Sequence, residues 1–282
     1  MTKLTTILDG LAFPEGPRWH DGALWFSDMH AHEVVRVTES GERRTVAEFG
    51  GPVSGLGWLS DGRMLVVSMA DKRVLVQAAD GTFATHGDLS DIAAGLCNDM
   101  VIDAHDNAFV GNFGFSLHPM GEVRAAKLAR VAPNGAVTVA AEDMMFPNGA
   151  VITLDGGTLV VGESFSRVLT AFDLGRDGTL SNRRVWAALP EGALPDGICL
   201  DANGDIWSAS PSSSEVVHVR EGGEVLARVK TEQLAIACML GGEDRRTLFV
   251  LTAESTDPDE CKAKRSARIQ TIRVETPGAG RP

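Results

Sequence analysis

The chain has 282 residues, 44% of them hydrophobic and 23% charged, the proportions of a globular protein able to bury a large core. A formal charge of −12 argues against nucleic acid as a partner, because phosphate neutralisation needs clustered Lys and Arg. No stretch approaches the roughly 20 apolar residues of a membrane span, and residues 1–6 hold no apolar run of signal-peptide length. Cys97, Cys199, Cys238 and Cys261 are far apart, without Cys-x-x-Cys or Cys/His spacing, so reduced thiols in a cytoplasmic protein are expected.

In chain order, the apolar runs are short, rich in β-branched or aromatic residues, and bounded by turns. A run over residues 3–8 comes first. Leu24-Trp25-Phe26-Ser27 follows the turn Asp21-Gly22, and Met64-Leu65-Val66-Val67 follows Asp61-Gly62. Ala108-Phe109-Val110 follows Asp106-Asn107, and Thr158-Leu159-Val160-Val161 follows Asp155-Gly156. Ile206-Trp207 comes after Asn203-Gly204, and Thr247-Leu248-Phe249-Val250 after Asp244-Arg245. Only residues 89–96 offer a helical turn. Successive turns lie 40, 45, 49, 48 and 41 residues apart, and a further apolar run follows each strand, such as Val34-Val35-Arg36-Val37. A period of this length with four strands per unit predicts an all-β fold, a six-bladed β-propeller of antiparallel blades. One domain is expected over residues 1–275, with a flexible Gly/Pro-rich tail over 276–282. The last unit supplies three strands near 235–240, 247–251 and 267–274. The run at 3–8 is then expected to be its outermost strand, closing the ring.

Aligned on the turns, the units expose a polar column. Ser54, Asn148 and Asp196 stand seven residues before the turn, Asn98 eight before and Glu15 six before. The sixth unit has Ile236 or Ala237 there and breaks the pattern. Innermost strands of a propeller run parallel around the axis, so their first residues form a ring at one mouth. Two carboxylates in such a ring repel unless a cation lies between them. Oxygen ligands from Glu, Asn and Asp suit a hard divalent cation, Ca²⁺ first, with Mg²⁺, Mn²⁺, Zn²⁺ or Fe²⁺ as alternatives. The plainer alternative is that these residues cap strand starts, Asn-Gly and Asp-Gly being common turn pairs.

Phe13-Pro14-Glu15-Gly16-Pro17-Arg18-Trp19 with Leu24-Trp25-Phe26-Ser27-Asp28 resembles the opening of the regucalcin/gluconolactonase propellers. Phe146-Pro147-Asn148-Gly149 and Leu194-Pro195-Asp196-Gly197-Ile198 resemble that family's later metal motifs. The resemblance runs through all six units. It implies that Glu15, Asn148 and Asp196 ligate one divalent metal, that Asn98 contacts substrate or nearby water, and that the reaction is lactone hydrolysis. Sugar-lactone members carry Arg two residues before the matching Asn, whereas this chain has Leu96. Gly111-Asn112-Phe113-Gly114-Phe115 replaces a shorter segment of small residues.

Loops joining second to third strands belong to the metal mouth, which brings His30, Met69, Asn112, Phe113, Phe115, Glu163 and Phe165 there. These assign substrate contacts to Asn98, His30, Asn112, Phe113, Phe115 and Glu163, although Glu163 also reads as a surface charge. A Phe- and Met-bearing wall favours apolar or aromatic lactones over polyhydroxylated ones. Asp196 is the candidate general base, or alternatively a nucleophile, with Asn98 and Asn148 donating toward the oxyanion. Asp99 is expected to point away into the sheet. The charged segment 252–268 belongs to the metal face as a lid, an oligomer contact or a solvated loop. Rival functions are a phosphotriester or other ester hydrolase with the same site, and a non-catalytic metal- or protein-binding propeller.

Overall fold

The computed structural model describes residues 3–280. Its strands form six four-stranded antiparallel sheets, one per sequence repeat, each ordered from the innermost strand outward. The first blade holds Pro14–His20, Ala23–Asp28, Glu33–Val37 and Arg43–Glu48. The following four blades open on Val53–Trp58, Cys97–Ile102, Pro147–Ile152 and Ile198–Leu200. The predicted six-bladed propeller is what the chain forms.

Ring closure follows the predicted route. Leu234–Gly241, Thr247–Ala253 and Ala267–Arg273 make three strands of the last blade, and Thr5–Leu11 pairs antiparallel to Ala267–Arg273 as the fourth. Thr5 faces Thr271 and Thr6 faces Gln270. Leu4, Ile7 and Leu8 pack on the core cluster that joins the fifth, sixth and first blades. Both chain ends are thus tied into one sheet, and the free edges of an open ring are removed. Elsewhere the core consists of apolar clusters between neighbouring blades, such as Leu65, Val67, Met100 and Val110 between the second and third.

The tail expectation needs correcting. Within the described part of 276–282, the Ala202 amide donates to Pro277 O, the Gly278 amide to Arg245 O, and the Ala279 amide to Leu200 O. Gly278 also bridges to Asp201 in strand fashion. The segment lies in a groove of unspent backbone groups, so its Gly/Pro composition marks tight packing rather than freedom. Residues 281 and 282 lie outside the described residues. In 89–96, the Ala93 amide donates to Leu89 O, closing a single helical turn. Among the described residues, no helix is long and apolar enough to cross a membrane.

Candidate active site

The polar column becomes a ring because of a backbone irregularity shared by several blades. In the innermost strands of the first four blades the register with the second strand shifts just past the polar residue, between Glu15 and Arg18, Val53 and Leu56, Cys97 and Met100, and Pro147 and Ala150. Such a bulge re-aims the side chain at the strand start. Asp196 is reached differently, since it precedes the short strand Ile198–Leu200. Its amide donates to Ala209 O.

The glycine that follows every polar residue of the column except Asn98 has a separate cause. A Cβ on Gly149 would lie 2.5 Å from Asp196 O and 2.6 Å from Ile198 N, and one on Gly197 would lie 2.5 Å from the Ala237 Cβ. Neighbouring innermost strands therefore approach so closely that only glycine fits. These pairs are contact points between blades, not turns.

Glu15, Ser54, Asn98 and Asn148 are all buried, and Ser54, Asn98 and Asn148 are linked in sequence around the ring. Asn98 Nδ2 donates to Asn148 Oδ1 at 2.9 Å, and Ser54 Oγ lies 3.5 Å from Asn98 Oδ1. Asn148 Nδ2 donates to Ser164 Oγ at 3.2 Å, whose hydroxyl donates to Pro195 O, next to Asp196. Glu15 Oε2 accepts only its neighbour's Gly16 amide, at 3.0 Å. Asp196 Oδ1 is buried with no hydrogen-bond partner. Burial above all, then Asp196 and Asp99, push the Glu15 carboxyl well above its usual range. Burial and Asp99 likewise push Asp196 upward.

Asp99 corrects an expectation. It does not turn away into the sheet; its Oδ1 accepts Arg18 Nη2 at 2.9 Å, both side chains being about 3% exposed, and its charge reaches Glu15 and Asp196. The bulge between Cys97 and Met100 cancels the strict alternation on which that expectation rested. Arg18 also donates to Pro17 O and Met100 O. Sequence reading gave Arg18 no role. Its only signal was an Arg inside the innermost strand Pro14–His20, where a buried charge needs a partner.

Three carboxylates, Glu15 and Asp99 buried and Asp196 partly so, around one guanidinium leave a deficit of two positive charges. Together with the orphaned Asp196 oxygen and the all-oxygen donor set, that deficit fits a divalent cation held by Glu15, Asn148 and Asp196.

Above the ring opens a cavity of about 870 Å³. Glu15, Asn98, Asn148 and Asp196 form its polar end, and Phe13, Met29, Met69, Phe113, Phe115 and Phe146 line its apolar wall. The rings of Phe113 and Phe146 stack at 4.5 Å, and Phe165 supports Phe115 edge-on from behind. Leu96 reaches the cavity, and so does His30, whose ring lies 5.1 Å from Phe13. Burial, then the neighbouring Lys262, His32 and His118, push the His30 imidazole down to about 4, so it is neutral at pH 7.

Two predicted contacts are not at the cavity. Asn112 is buried behind its wall, with Nδ2 donating to Lys127 O and Oδ1 accepting the Gly114 amide. Both ends of that amide are used to shape the Phe113–Phe115 loop, which explains why Asn stands there. Glu163 is also buried and away from the cavity. Its carboxylate accepts Thr170 Oγ1, Arg183 Nη2 and the Met145 amide, leaving it a cross-strand brace rather than a substrate contact. Segment 252–268 does lie on the ring's face. Helix Pro258–Lys264 is capped by Asp257, anchored by buried Cys261, and borders the cavity with Pro258 and Lys262.

A second group, Asp201, Asp205 and His218, has ligand-capable atoms within 4.8 Å of one another, at the far end of the fifth blade's innermost strand. Its charges are already matched: Asp201 accepts His218 Nε2 at 3.0 Å and the Asn203 and Asp205 amides, and Asp205 pairs with Arg220. This group braces a turn.

Against this geometry the sequence comparisons can be weighed. The SMP-30/Gluconolactonase/LRE-like region matches residues 13–254, a span that runs from the Glu15 motif to the sixth blade. The chain belongs to the SMP-30/gluconolactonase/LRE-like family. Among its relatives, a pentonolactonase of Haloferax volcanii is 26% identical, the alignment covering 100% of this chain and 97% of that protein. Regucalcin of Gallus gallus is 25% identical over 85% of this chain and 82% of its own length. Two family structures superpose along nearly the whole chain. Regucalcin of Agrobacterium tumefaciens, described as a calcium-binding protein, has a TM-score of 0.83 at 22% identity, covering 100% of this chain and 96% of that one. A gluconolactonase of Xanthomonas campestris has a TM-score of 0.79 at 24% identity, covering 97% and 90%. At such identities the structures speak to the shared fold of the family.

Proposed function

We propose that this family member is a metal-dependent hydrolase that opens lactone rings and prefers apolar or aromatic lactones to sugar lactones. The observation that carries the reading is a charge-deficient ring of buried Glu15, Asn98 and Asn148 with half-buried Asp196 at the floor of a cavity walled by phenylalanine and methionine. Relatives named pentonolactonase and gluconolactonase support the lactone class. A relative described as calcium-binding supports Ca²⁺ as the ion.

Glu15, Asn148 and Asp196 would hold the cation. When bound, it supplies Lewis acidity toward the lactone carbonyl and toward water. Asp196 is the group free to move a proton, because one of its oxygens has no protein partner. It takes a proton from the attacking water as the water oxygen bonds to the acyl carbon. It then returns that proton to the ring oxygen as the ring C–O bond breaks, giving a hydroxy acid. Asn98 gives one amide hydrogen to Asn148, which fixes the plane of its carboxamide and leaves the second N–H for the oxyanion. Glu15, tied to the Gly16 amide, stays a fixed anionic anchor.

Substrate preference follows from the wall. Leu96 reaches the cavity without any hydrogen-bonding group, and Phe113, Phe115 and Phe146 offer faces for rings or alkyl chains, not donors for a row of hydroxyls.

The test is a substrate panel on chelator-treated protein with and without added CaCl₂. Alkyl γ- and δ-lactones and dihydrocoumarin should be opened only with the cation, and glucono- and xylonolactone more slowly. Efficient turnover of the sugar lactones with none of the alkyl lactones would overturn the substrate preference. Hydrolysis of a phosphotriester in place of every lactone would move the site to that class. Absence of any chelator-sensitive hydrolysis would leave a binding propeller.

A further inference from the structure

The cavity is not uniformly apolar: basic side chains gather at its opening in a chain whose formal charge is −12. Lys72, Lys262, His30, His32 and His118 all border it. Among the described residues neither lysine is in an ion pair, and Lys72 donates only to the backbone oxygen of Ala93. The nearby carboxylates are already engaged. Asp257 accepts the Asp259 and Glu260 amides at the start of the helix, and Asp71 accepts Ser68 Oγ. Asp28 accepts the Ala12 and Phe13 amides with Arg265 beside it. Two residues beyond Lys262, by contrast, Lys264 finds Glu260 at 3.4 Å.

The Lys262 charge is felt at His30 and His32 across the opening, so these groups face a common space. His30 is held in place by the Phe13 ring, and as a neutral imidazole it offers a donor without adding repulsion. Helix Pro258–Lys264 is anchored by Cys261, whose thiol donates to Ser255 O, so Lys262 is presented from a rigid element. The ring at the buried end is anionic and would engage the lactone. The exposed end offers ammonium groups and imidazoles, with Asp71 as the carboxylate that also borders it.

We propose that Lys262, with His30 and His118, forms an anion subsite, so that the preferred substrate is a lactone carrying a carboxylate or similar anionic substituent on its apolar body. The proposal rests on the lactonase reading for its substrate, but not for its binding site. It narrows the substrate class to molecules with three parts: an ester ring for the polar floor, an apolar middle for the phenylalanine wall, and an anion for the opening. Hydrolysis then yields a hydroxy acid that carries a second anionic group.

The proposal is tested with dihydrocoumarin and its 6-carboxylate, assayed side by side with the calcium-loaded protein. The ratio of kcat/KM for the carboxylate to kcat/KM for the neutral lactone should fall about tenfold in Lys262→Gln, the scale of a lost hydrogen bond to a charged group. It should fall further in Lys262→Glu and stay at the wild-type value in Lys264→Gln. A second arm needs no turnover. Saturation-transfer NMR on metal-free protein should detect 3-phenylpropionate over 3-phenylpropanamide, with the preference lost in Lys262→Gln. An unchanged ratio together with equal binding of the acid and the amide would overturn the subsite. If neither lactone is opened, the lactonase reading fails, and the NMR arm still decides the subsite.

Discussion

Replacing Gly149 by alanine tests whether the Asn-Gly and Asp-Gly pairs are contact points that set the ring. The new Cβ would meet only backbone: Asp196 O at 2.5 Å, Ile198 N at 2.6 Å and the Gly197 Cα at 2.8 Å. None of these atoms can rotate away, so the fourth and fifth innermost strands must part by about 0.9 Å to regain ordinary contact. Overpacking of this kind costs roughly 1–3 kcal/mol. In a domain of this size each kcal/mol moves Tm by about 2–4 °C, so a fall of roughly 2–10 °C is expected by differential scanning fluorimetry. The same separation carries Asn148 away from Asp196, beyond the roughly 0.5 Å that a preorganised site tolerates. Calcium affinity by isothermal titration should therefore weaken by at least about tenfold. Alanine at Gly121, where the nearest atom would be 3.5 Å away, should change neither quantity. Wild-type Tm and calcium affinity in Gly149→Ala would refute the close-contact account, and with it the idea that blade spacing sets the ring.

Deleting residues 1–8 removes about half of the strand Thr5–Leu11 and strips the partly buried Leu4, Ile7 and Leu8 from the core surface; at about half of the 1.5–3 kcal/mol of a fully buried aliphatic side chain each, Tm should drop by about 5 °C or more, and an unchanged melt would rule this closure out. Asp196→Asn should cut lactone turnover by about 10²- to 10⁴-fold while raising the melting temperature of the chelated protein, because one of three crowded carboxylates is gone; full activity would eliminate the general-base role. The chelated protein should also lose stability as pH rises. The Glu15 and Asp196 carboxyls are raised in the folded state, so their contribution is fully present below the usual carboxylate range and is lost as pH climbs through their folded values, about 8 for Asp196. Excess CaCl₂ should remove that loss, so the melting curves with and without calcium should diverge as pH rises; parallel curves would contradict the charge deficit.

The fold was legible because each repeat carries its own punctuation, an Asx-led turn followed by a strand, at a spacing that only stacked blades satisfy. The ring was legible for a related reason: Glu15, Asn98, Asn148 and Asp196 keep nearly the same phase to those turns. What the sequence hid lies in contacts with no local signature. Asn112 and Glu163 stand at the predicted mouth by position, yet their oxygens go to Gly114, Thr170 and Arg183, partners that strand alternation does not reveal. The tail looked free by composition, but its bonds are to carbonyls and amides near Arg245 and Leu200, and every residue type offers those.

Arg18 and Asp99 are the more consequential omission, since they are 81 positions apart and meet only because a bulge turns Asp99 inward. Without them, Glu15 and Asp196 alone would match a divalent cation charge for charge. With Asp99 present, the pocket would hold one negative charge too many, and Arg18 cancels it. The pair therefore leaves the balance unchanged while placing a carboxylate beside the ligands and a guanidinium one step behind it. That ordering makes the field at the ring more negative than its net charge implies, which favours a cation over a protonated carboxyl. Neutralising Asp99 alone would leave Arg18 as an unpaired buried cation near the ligands. Removing Asp99 alone should thus weaken the ring's hold on a cation more than removing both partners, a non-additivity that a double-mutant cycle on calcium affinity would read.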